Sequence, residues 1–395
     1  MYERIQKTID IQRHVRDDLK NSLICDSCDL GPCRLDDQDD DFLAPCGINK
    51  EQLALKNLAE KVAEGMSEYG VFKHNLTKIY DIDKLIDLSS KILPKSIDYV
   101  KKIDALFQEF RIPRMGCFGL GGLERDEVNI CAIGPPDKIY DLIVDAHTDR
   151  NIKTIKENGA KGINIVSLGA PGAEIIFQTG IPCIGNSMAL EDSIRTGAID
   201  SIHFGKRTDI SIQAGIENFL KRKDEDLSLP RKQYFKTGLE VDIDAINKSY
   251  RSGRVAGAVV IVGAKSMNCE WDMEEIVSKL VKRGYVVFVN GAHLYKGTEL
   301  DPSGPSVIHL GFCEYGKTLL LGLDFKPILL LPGWKNAKLL TGALAMLREG
   351  YTVINGNEVF GTEKMCQDLE DRGFNIILDD KQVSVSYTHL RAHET

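Results

Sequence analysis

Two hydrophobic rhythms run along the chain, and they change over near residue 125. Between Asn49 and Gly70 the residues Leu53, Leu55, Leu58, Val62 and Met66 recur at the three- and four-residue spacing of one helix face. Asn49 is a candidate N-cap, Gln52 completes a capping box three residues on, and Gly70 is a candidate stop. The stretch "DIDKLIDLSSKILPKSIDYVKKIDALFQEF" predicts further helix, interrupted or kinked at Pro94. The N-terminal "MYERIQKTIDIQRHVRDDLK" reads as a charged amphipathic helix.

Beyond residue 125, short apolar runs alternate with helical segments. "EVNICAIG", "KGINIVSLG" and "IDSIHFG" predict buried strands, and "DKIYDLIVDAHTDRNIKTIKENG" and "PGAEIIFQTG" predict the helices between them. This alternation is the signature of a parallel sheet covered by helices. The charge-dense "KRKDEDLSLPRKQYFK" (221–236) breaks it and is a linker candidate. The grammar then resumes, with strands "GAVVIVGA", "YVVFVNGA", "SVIHLGFC", "KPILLLPG" and "YTVINGN" and helices "MEEIVSKLVKRG" and "NAKLLTGALAMLREG". The predicted class is therefore α/β, with a helical domain over 1–112 and parallel-sheet domains over 113–236 and 237–382. The ending "VSVSYTHLRAHET" (383–395) fits no helix or strand pattern and reads as a non-native tail, with native ligands beyond it expected to be missing.

Composition narrows the functional classes. The 395 residues are 43% hydrophobic, enough for more than one core, and the formal net charge of −8 argues against a general nucleic-acid role. No apolar run reaches membrane-span length, and the N-terminus lacks the apolar region of a secretory signal. A cytoplasmic location is the expectation, and structural disulfides are rare there. Glycines punctuate the strand ends, at Gly134, Gly169, Gly263, Gly291 and Gly333, where α/β sheets bind ligands. "GCFGLGG" (116–122) has neither the dinucleotide-binding nor the phosphate-loop spacing, which discounts NAD and ATP.

Four of the ten cysteines fall in "CDSCDLGPCRLDDQDDDFLAPCG", spaced Cys25-x2-Cys28-x4-Cys33-x12-Cys46. Three close cysteines and a fourth brought in by a loop suit a [4Fe–4S] cube, with turns supplied by Gly31, Pro32 and Gly47. Structural zinc more often uses two close pairs, and the second pair is missing. Iron–sulfur, zinc and unliganded thiols all remain open on spacing alone. The acidic run "DDQDDD" (36–41) would disfavour adding an electron nearby, which predicts a low-potential cluster.

The cysteine run with its following helix "NLAEKVAEGMSEYG" resembles the N-terminal cluster region of the nickel-dependent anaerobic carbon monoxide dehydrogenases. "KGINIVSLGAPGAEIIFQTGIPCIGN", "RTGAID", "GRVAGAVVIVGA" and "SVIHLGFC" follow in that family's order, so the resemblance covers about residues 20–330. It implies a helical domain followed by two Rossmann-like domains. The activity it implies is reversible oxidation of carbon monoxide by water to carbon dioxide, two protons and two electrons, on a nickel–iron–sulfur cluster between the domains. It further implies that Cys25, Cys28, Cys33 and Cys46 ligate a [4Fe–4S] relay cluster, that the chain is a homodimer sharing a further interface cluster, and that a ferredoxin-like carrier takes the electrons.

The sequence departs from that pattern. "DLKNSLI" replaces the cysteines expected for the interface cluster. Of the nickel-cluster positions, Pro135 stands for a histidine, Gly169 or Ala170 and Ala292 stand for cysteines, and no cysteine follows "GAIDSIHFG". Cys313 alone matches a ligand position, two more are expected beyond the chain's end, and Tyr69 corresponds to a histidine near the active site. Cys117, Cys131, Cys183, Cys269, His293 and His309 lie near strand ends as possible substitutes, though a lone cysteine in an apolar strand, or Cys366 in a helix, is usually a small core residue. Three functions follow: an oxidoreductase of the carbon monoxide dehydrogenase type; a paralogue without nickel that transfers electrons or serves another small-molecule redox reaction; and a scaffold or regulatory protein holding zinc.

Overall fold

The computed structural model describes residues 22–25, 33–36, 43–44, 47–71, 81–107, 114–133, 136–168, 180–185, 189–204, 207–237, 242–263, 271–291, 305–310, 314–332, 337–356 and 362–377. The predicted N-terminal helix, the helix "PGAEIIFQTG" except Gly180, and the 383–395 tail lie outside them.

The chain begins with a hairpin, β1 (Ser22–Cys25) antiparallel to β2 (Cys33–Asp36). Three helices follow, α1 (Lys50–Glu68), α2 (Ile82–Ser89) and α3 (Leu93–Phe107). The capping box predicted for α1 is present: Gln52 N donates to Asn49 Oδ1 at 2.9 Å and Asn49 N to Gln52 Oε1 at 3.1 Å. Gly70, at φ +64°, ends the helix in the left-handed conformation that glycine adopts without strain. A short 3₁₀ turn (Ser90–Ile92) separates α2 from α3. Pro94 falls in the first turn of α3, where its missing N–H costs no helical bond.

The first sheet unit comprises β3 (Arg114–Phe118), β4 (Val128–Ala132), α4 (Pro136–Ala146), α5 (Asp149–Glu157), β5 (Ile163–Ser167), α6 (Ala189–Arg195), β6 (Ser201–His203), α7 (Thr208–Arg222) and β7 (Gln233–Thr237). β4 pairs in parallel with β5 on one side and β6 on the other. β3 and β7 form an antiparallel pair, joined to β5 through Cys183, which bridges both Phe118 and Ser167. The linker candidate 221–236 is therefore structured at both ends. Arg222 closes α7 as a buried guanidinium, its fork on Asp200 at 2.6 Å through both Nε and Nη2. From position 233 the chain pairs with 114–118, a contact over too great a sequence distance for local pattern to reveal.

The second unit comprises α8 (Ile243–Arg251), β8 (Gly257–Val262), α9 (Met273–Lys282), β9 (Tyr285–Asn290), β10 (Val307–His309), α10 (Tyr315–Leu320), β11 (Ile328–Leu331), α11 (Ala337–Arg348), β12 (Val353–Asn355), α12 (Glu363–Glu370) and β13 (Phe374–Ile376). Its six strands run β10-β9-β8-β11-β12-β13, every pairing parallel. β8 and β9 are buried throughout, as their unbroken apolar sequences predict for strands covered on both faces.

One face of this sheet carries α11, and α1 and α2 pack on α11 in turn, so Leu58, Val62 and Leu85 share a core with Val260, Phe288 and Leu344. Close approach depends on small residues. A Cβ on Gly65 of α1 would sit 2.5 Å from the Ala337 carbonyl oxygen, and one on Gly342 would sit 2.1 Å from the Tyr315 ring. Among the described residues no helix is long and apolar enough to cross a membrane.

Candidate functional site

The hairpin register sets Cys25 opposite Cys33 at its mouth, with the seven residues 26–32 closing the loop between them. Two pairs back from it, Leu23 and Leu35 are buried in the core of α1 and the six-stranded sheet, whereas Ile24 of the pair between is exposed. Two-residue alternation thus seats one face of a hairpin too short to be stable alone. Asn57 Nδ2 of α1 donates to Ile24 O at 3.2 Å and ties the hairpin to the helix. On the approach to α1, Ala44 N donates to Ile48 O at 2.9 Å and Gly47 N to Ala44 O at 2.8 Å, closing a tight turn across position 46. Gly47 takes φ +82° there, and Ala44 is buried in the same core as Leu23 and Leu35. Cys28, Cys46 and the side chains of Cys25 and Cys33 lie outside the described residues.

A second polar centre lies where the chain resumes after Cys313. Glu314 is fully buried, at the start of α10. The side-chain amide of Asn290, last residue of β9, clamps its backbone: Glu314 N donates to Oδ1 at 3.0 Å, and Nδ2 donates to Glu314 O at 2.8 Å. The carboxylate takes the Tyr69 hydroxyl on Oε1 at 2.5 Å and the Ser96 hydroxyl on the same oxygen. Lys338 Nζ of α11 lies 2.5 Å from Oε2 and also sits 5.0 Å from the centre of the Tyr69 ring and 5.5 Å from that of Tyr99. Ser96 Oγ in addition accepts Gly316 N at 2.7 Å. A buried carboxylate is tolerable only with such a set of donors. The cluster therefore fastens α1, α3 and α11 to the carboxyl end of β9.

Cys313, Pro135, Gly169, Ala170, Ala292, Cys269 and His293 all lie outside the described residues. The other strand-end cysteines are core residues. Cys117, Cys131 and Cys183 are buried. Burial pushes the Cys131 thiol up to about 12 and the Cys183 thiol up to about 11. Burial raises Cys366 of α12 as well, with Glu370 adding to the shift. His309 ends β10. Among the described residues no three His, Cys, Asp or Glu side chains converge to hold a metal ion. Asn290, Ser96, Glu314 and Lys338 escaped sequence reasoning, because a glutamate beside a turn reads as a solvated charge.

No protein-family model matches the chain. Carbon monoxide dehydrogenase 1 of Carboxydothermus hydrogenoformans is 29% identical over 175 residues, 40% of this chain and 27% of that protein. The carbon monoxide dehydrogenase of Rhodospirillum rubrum is 32% identical over 99 residues, 25% of this chain and 15% of that protein. In sequence the chain thus aligns with about a quarter or less of the length of these relatives. In fold the likeness is broader. Carbon monoxide dehydrogenase IV of C. hydrogenoformans superposes with a TM-score of 0.68 at 17% identity, covering 94% of this chain and 93% of that one. A nickel-free carbon monoxide dehydrogenase from Thermococcus sp. AM4 gives 0.66 at 18% identity, covering 94% and 90%. Part of the sequence is thus similar to carbon monoxide dehydrogenases, and the architecture is shared with solved structures of that kind.

Proposed function

We propose that the chain is an iron–sulfur oxidoreductase in which Cys25, Cys28, Cys33 and Cys46 hold one [4Fe–4S] cluster that relays electrons. The observation that carries this reading is the hairpin register, which sets Cys25 against Cys33 across a loop containing Cys28. Ala44, just before Cys46 in the sequence, belongs to the same core, and Gly47 N donates to Ala44 O. Four thiolates on one small unit fit the donor set of such a cluster, which when bound supplies one-electron transfer. The chain's own part is to fix the unit: Leu23 and Leu35 anchor the strands, Asn57 holds β1 to α1, and Gly47 permits the turn.

The donor set for a nickel–iron–sulfur cluster does not fit. Pro135, Gly169, Ala170 and Ala292 carry no donor side chain, and one thiolate, Cys313, does not hold a multinuclear cluster. Oxidation of carbon monoxide is accordingly not assigned to this chain. The reading favoured is a paralogue that keeps the relay cluster, works as a homodimer with a ferredoxin-like carrier, and transfers electrons or serves another small-molecule redox reaction. Purified without oxygen, the protein should carry about four irons per chain, absorb broadly near ~400 nm and hold little nickel. Cys28→Ala should lose most of the iron. A colourless protein with stoichiometric zinc would support the scaffold reading instead, and stoichiometric nickel with rapid carbon monoxide-dependent dye reduction would overturn the paralogue reading.

A further inference from the structure

The chain enters and leaves its first sheet unit at one place. β3, which enters the unit, and β7, which leaves it, are antiparallel neighbours, with Arg114 opposite Thr237. Cα atoms of such a pair lie about 4.5–5.5 Å apart. The span 114–237 therefore begins and ends at one point, which is the geometry of an inserted module.

That span is closed on itself. Among the described residues its hydrophobic cores draw only on positions 120–229. Arg222 ties its ends together: besides the fork on Asp200, Nη1 donates to Arg125 O at 2.9 Å and Nη2 to Glu127 O at 2.8 Å. Arg125 pairs with Asp226 at 2.9 Å, and Lys232 pairs with Glu124. The segment after α7 thus returns to the entrance of β4. Backbones also meet closely. A Cβ on Gly121 would sit 2.4 Å from the Arg231 carbonyl oxygen, and one on Gly215 of α7 would sit 2.8 Å from Val128 Cγ1 of β4.

The chain on either side of the span is joined across it. Buried residues between positions 23 and 93 and between 246 and 374 make one hydrophobic core. Polar contacts repeat the connection. Asp83 of α2 accepts the Arg372 fork, from Nε at 2.5 Å and Nη2 at 3.0 Å, and Asp87 takes Arg348 Nε at 2.7 Å. The Thr362 hydroxyl donates to Glu51 of α1 at 2.5 Å. The Glu314 cluster adds Tyr69 and Ser96.

We propose that the molecule is two cooperative bodies and that one opens without the other. The insert is 114–237. The composite body is the hairpin, the helical layer and the second sheet. Cooperativity extends as far as shared packing, and units with separate cores open separately. An opened insert becomes a loop whose ends stay pinned where Arg114 and Thr237 met. Closure entropy grows only with the logarithm of loop length, so the composite body bears a small cost. The carboxyl ends of β4, β5 and β6 thereby open to solvent while the core under the cysteine hairpin stays closed. This device does not depend on what the cysteines bind.

Urea titration of the full chain with two probes tests it. Both tryptophans, Trp271 and Trp334, lie outside 114–237, so fluorescence follows the composite body. Cys131 and Cys183 are buried in the insert, so their alkylation by short iodoacetamide pulses, located by peptide mass spectrometry, follows the insert. Ile130→Val, in β4, removes one buried methyl group from the insert's core. It should lower the labelling midpoint by about 0.3–1 M and leave the fluorescence midpoint within about 0.1 M of the parent. Ile212→Val, in α7 on the same core, should do likewise and serves as the second variant of the insert. Val62→Ala, in α1, should do the reverse, lowering the fluorescence midpoint alone. Variants that move both midpoints by the same amount would reveal a single cooperative unit and overturn the proposal. Labelling of Cys131 and Cys183 that tracks fluorescence in the parent and in every variant would overturn it equally.

Discussion

Glu314 offers the sharpest test of how the helices are fastened to the second sheet. Tyr69→Phe removes one hydrogen bond to a charged acceptor, a loss of about 1.5–3 kcal/mol. Lys338→Met removes the cation from a fully buried carboxylate. Breaking a buried pair costs about 3–5 kcal/mol, and since a quarter of the Lys338 side chain meets solvent we expect about 2–3 kcal/mol. Glu314→Gln keeps an oxygen for Tyr69 and Ser96 but turns an amide toward Lys338, with an expected loss of about 2 kcal/mol. The Lys338→Met/Glu314→Gln double variant should lose less than the sum of the singles by about 1–2 kcal/mol, because the unpaired buried charge is gone. Urea unfolding followed by tryptophan fluorescence reads this out, since Trp271 is fully buried in the core on the other side of the same sheet. In thermal melts each kcal/mol should shift the midpoint by at least about 1 °C, the value for a chain of 395 residues that unfolds as one unit. Singles within about 0.5 kcal/mol of the parent, or a strictly additive double variant, would refute the role given to the cluster.

Two further outcomes follow from packing and burial. Gly65→Ala should destabilise by about 1–3 kcal/mol in the same urea assay, because the new methyl meets the Ala337 carbonyl and Thr341; a variant as stable as the parent would mean that α1 and α11 shift apart freely. With thiols near 12 and 11, Cys131 and Cys183 should carry thiolate fractions of only about 10⁻⁴ and 10⁻³ at pH 8, and should resist iodoacetamide in native protein yet react in urea; native-state labelling seen by mass spectrometry would contradict their burial.

What the sequence disclosed follows from the range of the interactions. The capping box at Asn49 and Gln52 is local, and so was legible. The apolar strands β8 and β9 have burial on both faces written into every position. The hairpin was read as a cysteine loop, because two four-residue strands with Ser22, Arg34 and Asp36 among them carry little β signal. Glu314 was not legible at all: its partners Tyr69 and Ser96 stand 245 and 218 positions away. His203 was read correctly as part of a buried strand, but the strand pattern does not reveal that one ring nitrogen is left without a partner.

The hairpin and the Glu314 cluster bear on each other through one core. Leu23, Leu35 and Ala44 belong to the same hydrophobic cluster as Val62, Leu85, Phe288 and Leu344. A two-stranded ribbon of eight paired residues does not hold itself together in water, so its order comes from that seat and from whatever the four cysteines bind. Metal binding to such a unit is also folding energy, and it passes into the shared core. Glu314 works from the opposite side. Its carboxylate takes hydrogen bonds from Tyr69 and Ser96 and pairs with Lys338, and so holds α1, α3 and α11 to the sheet. Tyr69 is committed to the same bond. Near Cys313 the fold thus uses a protein–protein polar network to join the helices to the sheet, while the cysteine hairpin on the same core retains the thiol donors. The end of the helical layer at Glu314 thus owes its stability to hydrogen bonds and an ion pair, whereas the hairpin end would gain stability from the cluster proposed for its cysteines.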